Sequence, residues 1–238
     1  MRRRTVGRAR VVASSAALAA VLAAWNGLVV TRLPGYPGSY VVVDVAATAL
    51  LLLVARAAGL TWDELGLSRR RLGAGARWGG ACVVLVAVGC AAALAVPALR
   101  PLLTDARVSR LDGAGIAYQV LVRVPFGTVL WEEVAFRGVL LAALSRWLRR
   151  PVAVAASSAV FGIWHIRPTL SGLAANDLVD GPVATSAAVL LACLGTAAAG
   201  VLFCWLRLRS GSLLAPALLH LATNALGTLT GAAASRLA

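Results

Sequence analysis

The sequence predicts an all-α protein, a polytopic transmembrane helix bundle of about seven to eight membrane helices, on three observations. The chain is 60% hydrophobic and only 13% charged, whereas a soluble domain carries roughly 25% charged residues. Apolar runs of about twenty residues recur along it, the length needed to cross a hydrocarbon layer roughly 30 Å thick. The arginines, which give a net charge of +14, cluster in the short stretches between those runs. Such a pattern orients a protein in a bilayer and contacts anionic head groups, so lipid is the expected partner and nucleic acid is not.

Seven spans are expected, at about 11–30, 40–58, 79–99, 115–148, 152–166, 183–206 and 212–230. The first follows MRRRTVGRAR and resembles the opening of a signal peptide. Its apolar run reaches Val30 and more spans follow, which predicts a retained first helix. Proline and glycine in RLPGYPGS and RLDGAGI mark the turns before the second and fourth spans. The segment TWDELGLSRRRLGAGARWGG between the second and third spans predicts a short amphipathic helix in the head-group layer. The fourth span is too long for one straight crossing, and Pro125 predicts a kink in it. An eighth helix would be hidden in that span or in the linker.

Arginine placement predicts the orientation. One side would hold Arg2, Arg3, Arg4, Arg8, Arg10, Arg56, Arg69, Arg70, Arg71, Arg77, Arg146, Arg149, Arg150, Arg207 and Arg209. The other would hold Arg32, Arg100, Arg107, Arg110, Arg167 and Arg236. The richer side is the cytoplasmic one, and it carries the N-terminus. Cys82, Cys90, Cys193 and Cys204 lie in apolar stretches without a C-x-x-C pair, and read as reduced packing residues.

Ionisable groups inside a bilayer are costly, so each implies a partner or a function. Here they are Glu132, Glu133 and Arg137 in the fourth span, His165 ending the fifth, and His220 with Asn224 in the seventh. At about 1.5 Å per residue, Glu132, His165 and Asn224 lie about 24, 21 and 18 Å from the inner ends of their helices. They therefore meet at one depth. Glu133 and Arg137 are four apart and stack on one helix face. Glu132, rotated by about 100°, points elsewhere, which predicts an ion pair for Glu133 and a cavity for Glu132. A carboxylate and an imidazole, Glu132 and His165, can together deprotonate water. His220 and Asn224, also four apart, can donate to a developing oxyanion. Such a set suits peptide hydrolysis.

EEVAFR fits E-E-x-x-x-R, FGIWH from Phe161 fits F-x-x-x-H, and HLATN from His220 fits H-x-x-x-N. In this order on successive membrane helices they resemble the CPBP family of CAAX prenyl proteases, bacteriocin-processing enzymes and Abi-type proteins. The resemblance covers roughly residues 115–230 and divides the chain into an N-terminal membrane region, 1–112, and a catalytic core, 113–230. It implies an intramembrane endopeptidase of a bacterial plasma membrane, acting on a peptide or membrane-anchored protein. Glu132 and His165 would activate water, His220 and Asn224 would hold the oxyanion, and Glu133, Arg137 and Phe161 would support them. Both a metal-free glutamate mechanism and a divalent metal such as zinc, held by Glu132, His165 and His220, are open. No H-E-x-x-H is present.

Other polar and aromatic residues read as structural. Asp44 is expected at the interface or as a cap, and Arg123 is expected to snorkel to the outer head groups. Trp25, Trp62, Trp78, Trp147 and Trp205 read as belt residues, and Trp131 and Trp164 as cavity lining. Two other functions compete: a non-catalytic immunity or regulatory relative, and a proton-coupled carrier. The carrier would need inverted repeats, and the sequence shows none.

Overall fold

A backbone surrounded by hydrocarbon must satisfy its own hydrogen bonds, so the apolar runs fold as helices. A computed structural model describes the backbone of residues 2–237 and the side chains of residues 12–237, with no strand among them. The side chains of Arg2, Arg3, Arg4, Arg8 and Arg10 lie outside the described residues. In chain order the helices are α1 (Arg2–Ala24), α2 (Tyr40–Ala57), α3 (Trp62–Leu65), α4 (Leu72–Ala95), α5 (Arg100–Leu103), α6 (Ala106–Ser109), α7 (Gly113–Tyr118), α8 (Leu130–Glu132), α9 (Leu141–Ser145), α10 (Arg150–Trp164), α11 (Ile166–Asn176), α12 (Pro182–Ser210) and α13 (Leu214–Leu237). A π-helical turn at Trp25–Val29 extends α1, and α7, α8 and α9 form one long helix joined by π-helical stretches at Gln119–Val129 and Glu133–Leu140.

Among the described residues five helices are long and apolar enough to cross a membrane: Val12–Arg32, Tyr40–Ala57, Arg69–Ala95, Gly113–Ser145 and Pro182–Ser210. The expected seven to eight are not reached by that measure, for two physical reasons. α10 has only 15 residues, which is about 22 Å of helix. α13 has 24 residues, but His220, Asn224, Thr223, Thr228 and Thr230 dilute its apolar character. Large apolar side chains such as Leu85, Leu102 and Leu191 are exposed on the outside of the bundle, as lipid-facing residues are.

The long fourth helix runs on through Pro125, where the kink was expected, without a break in its helical turns. Pro125 lies inside the π-helical stretch Gln119–Val129, where a wider turn accommodates a residue that lacks an N–H. Elsewhere helices meet through small residues. α13 packs against α4, and α10 against α12. At the second contact a Cβ on Gly162 would lie 2.6 Å from the Cys193 carbonyl oxygen, so glycine permits the approach.

The linker between α2 and α4 is fastened to one end of the bundle. Thr61 and Glu64 form a capping box on α3. Gly66 closes α3 at φ 77°, and a Cβ there would lie 2.1 Å from Arg207 Nε. Arg207 donates to the Asp63 and Glu64 carbonyls at 3.1 and 2.8 Å. The Leu213 amide donates to the Gly66 carbonyl at 2.8 Å. Arg146 bonds Glu64 Oε1 at 3.0 Å and the Gly59 carbonyl at 2.6 Å. The expected amphipathic helix is therefore a four-residue helix, with Leu65 fully buried beneath it.

Two outcomes follow from this packing. Gly162→Ala forces α10 from α12 and lowers stability by about 1–3 kcal/mol, measurable by thermal unfolding in detergent. The bond from Arg146 holds the Glu64 carboxyl well below its ordinary value, at about 2. A depressed carboxylate stabilises the fold above its unfolded value and loses that contribution as pH falls through its folded one. A spin label at position 63 should therefore gain mobility as pH drops from 4.5 towards about 2, while a label at position 85 should not.

Candidate active site

Glu132 and Glu133 occupy the junction where α8 passes into the second π-helical stretch, and both are buried. Arg137, one turn on, donates from Nη1 to Glu133 Oε1 at 3.1 Å, with both side chains 1% exposed. The pair expected from the i,i+4 spacing is present. The Arg137 guanidinium also lies between two aromatic faces, 3.8 Å from the Phe161 ring centroid and 4.6 Å from that of Phe203. A buried cation is thus matched by one carboxylate and two rings.

His220 arrives from α13. Its Nδ1 is 2.8 Å from Glu133 Oε1, the oxygen that also accepts from Arg137. A carboxylate oxygen that already accepts from Arg137 is matched by an N–H, so Nδ1 carries the hydrogen of this bond. That Nε2 faces Glu132 Oε2 at 3.8 Å. Phe203 stacks on the imidazole with ring centroids 5.2 Å apart. Glu132 Oε1 accepts from Trp164 Nε1 at 2.9 Å. Its Oε2 has no hydrogen-bond partner among the described residues.

Glu132, His165, His220, Asn224 and Phe161 line one cavity of about 1140 Å³. Glu133 and Arg137 stand behind that wall. His165 Nδ1 donates to the Phe161 carbonyl at 2.8 Å, and His165 makes neither a hydrogen bond nor an ion pair with Glu132. Asn224 donates one amide hydrogen to the His220 carbonyl at 3.1 Å. The structure therefore couples Glu132 to His220 rather than to His165. Among the described residues no three of His, Cys, Asp or Glu are gathered to hold a metal ion. Of the expected Glu132, His165 and His220 ligand set, both imidazoles turn Nδ1 to a protein acceptor and leave Nε2 free, while His165 makes neither a hydrogen bond nor an ion pair with Glu132.

Several structural expectations are corrected here. Trp25 is no free belt residue: it donates to Asp44 Oδ1 at 3.1 Å, and its ring lies 5.2 Å from that of Trp131. Asp44 is 1% exposed, too deep for an interface or a cap. Trp131 and Trp164 are core residues outside the cavity lining. Arg123, expected to reach the head groups, also lines the cavity. Sequence reasoning missed Trp164 as the donor to Glu132 and Phe203 as the shared ring. The place of Trp164 beside His165 was a usable signal; nothing in the sequence marked Phe203.

Glu133 has two buried partners and Glu132 one. Glu133→Gln should therefore cost on the order of 3 kcal/mol, because it leaves the Arg137 charge buried without a counter-charge. Glu132→Gln should cost far less. Parallel unfolding curves of the two variants check this, and equal losses would contradict the assignment of Glu133 as the structural anchor.

Residues 115–226 match the family model described as type II CAAX prenyl endopeptidase, Rce1-like. No curated protein and no solved structure matches the chain. The matched segment, a little under half of the chain, contains all three motifs and every site residue from Glu132 to Asn224. Over residues 115–226 the chain is thus similar to the Rce1-like type II CAAX prenyl endopeptidase family, the group its motifs resemble.

Proposed function

We propose that the protein is an intramembrane endopeptidase in which Glu132 and His220 together prepare the attacking water. One observation carries this reading. Glu132 Oε2 and His220 Nε2 face each other at 3.8 Å; in the reading proposed here the imidazole works as its Nδ1–H tautomer, so that both present lone pairs. Two acceptors at that spacing are too far apart for a hydrogen bond with each other and well placed to take the two hydrogens of one water molecule. Pulling on both hydrogens raises electron density on the oxygen, which then attacks the scissile carbonyl.

Each further step uses a group already oriented. The proton from water passes to Glu132, and the oxygen adds to the carbonyl carbon. Asn224, with one amide hydrogen bonded to its own helix, offers the second to the developing oxyanion. His165, whose Nδ1 hydrogen is engaged with the Phe161 carbonyl, presents Nε2 as an acceptor for the scissile N–H and so positions the peptide. Collapse of the tetrahedral species breaks the C–N bond, and Glu132 returns its proton to the leaving amine. The products are a carboxylate and an amine. Glu133, Arg137 and Phe161 act behind the site by fixing the imidazoles of His220 and His165.

The cavity is lined at one end by Tyr36, Pro101, Arg107, Arg167 and Leu178, and the α2–α4 linker contributes nothing to it. The linker end carries Arg69, Arg70, Arg71, Arg146 and Arg207. With the arginine-rich end in the cytoplasm, the cavity opens to the opposite face of the membrane, and its substrates are membrane-anchored or exported peptides presented there.

Wild type and Glu132→Gln in proteoliposomes, given membrane-anchored and prenylated peptides, should differ completely: products by mass spectrometry from wild type, none from the variant. Removing the base should lower the rate by about 10²–10⁴-fold. Full activity of a folded Glu132→Gln protein would overturn the assignment. Products from neither would favour a non-catalytic binding role.

A further inference from the structure

The wall of the cavity beyond Glu132 carries a polar group that the motifs leave unassigned. Gln119, Arg123, Thr128 and Glu132 all line the cavity from the long fourth helix, and Tyr40 joins them from α2. The π-helical stretch Gln119–Val129 keeps this stripe on one face. Arg123 donates to Gln119 Oε1 at 3.3 Å, and its guanidinium carbon lies 5.1 Å from the Tyr40 ring centroid. Tyr40 is seated by a close approach: a Cβ on Gly127 would lie 2.8 Å from its ring. The Tyr40 hydroxyl and Thr128 Oγ1 are 3.5 Å apart.

Charge makes this group informative. Arg123 forms no ion pair among the described residues, while Arg137 and Arg107 each have a carboxylate. The cavity lining holds three arginines, Arg107, Arg123 and Arg167, against the two carboxylates Asp105 and Glu132. Asp105 is occupied by Arg107 and Asn176, and Glu132 accepts from Trp164 and faces His220 at 3.8 Å. A guanidinium inside a membrane span without a counter-charge is costly. Here its plane is held by a ring face and an amide oxygen, the preorganisation that paired recognition of an anion requires.

We propose that Arg123, oriented by Gln119 and Tyr40, is a binding subsite for a carboxylate of the substrate. This rests on the reading of the cavity as a peptide site, and it gives that site a charge preference. The carboxylate is either the free C-terminus or an acidic side chain, held between the reacting groups and the cavity mouth.

The test is equilibrium binding to the Glu132→Gln protein in lipid nanodiscs, which separates recognition from cleavage. The probes are three dansyl-labelled apolar pentapeptides: one with a free C-terminal carboxylate, the same peptide as its amide, and an amide with one internal aspartate. The free acid should bind about ten-fold more tightly than the plain amide, as expected for a charge-assisted bidentate bond. The aspartate peptide tells whether an acidic side chain serves equally. Adding Arg123→Gln should reduce the acid to the affinity of the amide. Arg123→Lys, which keeps the charge and loses the fork, should retain part of the preference and serves if the glutamine variant does not fold. Equal affinity for acid and amide overturns the subsite, as does a variant that weakens both alike or an absence of binding by any probe. A clear preference without cleavage by wild type would instead sink the catalytic reading and leave the subsite standing.

Discussion

Everything at the centre of this bundle depends on one buried charge. Arg137, in a helix packed on all sides, is tolerated because Glu133 accepts from it and Phe161 and Phe203 cover its faces. The same oxygen of Glu133 then holds His220. A structural ion pair and the orientation of an imidazole are therefore one interaction, and four helices, the long fourth helix, α10, α12 and α13, are registered against each other by it. The desolvation cost of such a pair is large. The fold bears that cost where the geometry of His220 is set.

The fourth helix contributes a second constraint, through its width. Two π-helical stretches, on either side of α8, set where successive side chains face. Gln119, Arg123, Thr128 and Glu132 end on the cavity side, and Glu133 and Arg137 on the packed side. π-helical segments recur at functional sites because they re-aim side chains without ending the helix. Pro125 fits this geometry, where an ordinary α-helix would be broken by it.

Much of this was legible in the sequence, and the rest was hidden for identifiable reasons. The helical class followed from hydropathy, and the Glu133–Arg137 pair from spacing alone. The convergence of α13 on the two glutamates followed from counting helical rise. The partner of Glu132 did not follow: depth along a helix says nothing about rotation, so His165 and His220 were indistinguishable until the helices were packed. Asp44 was misread, and the cavity-side place of Arg123 missed, for a related reason. Both lie near the end of a span, where a head group is the default partner, and only tertiary contacts reveal Trp25 for one and a cavity wall for the other. Two of the expected spans fall below the length and hydropathy of the other five, because α10 is short and α13 carries polar side chains.

The fastened linker has a consequence for access. With Leu65 buried and Arg207 and Arg146 tying the chain from Gly59 to Gly66 across that end, the bundle is stapled shut there, and no residue of the linker lines the cavity.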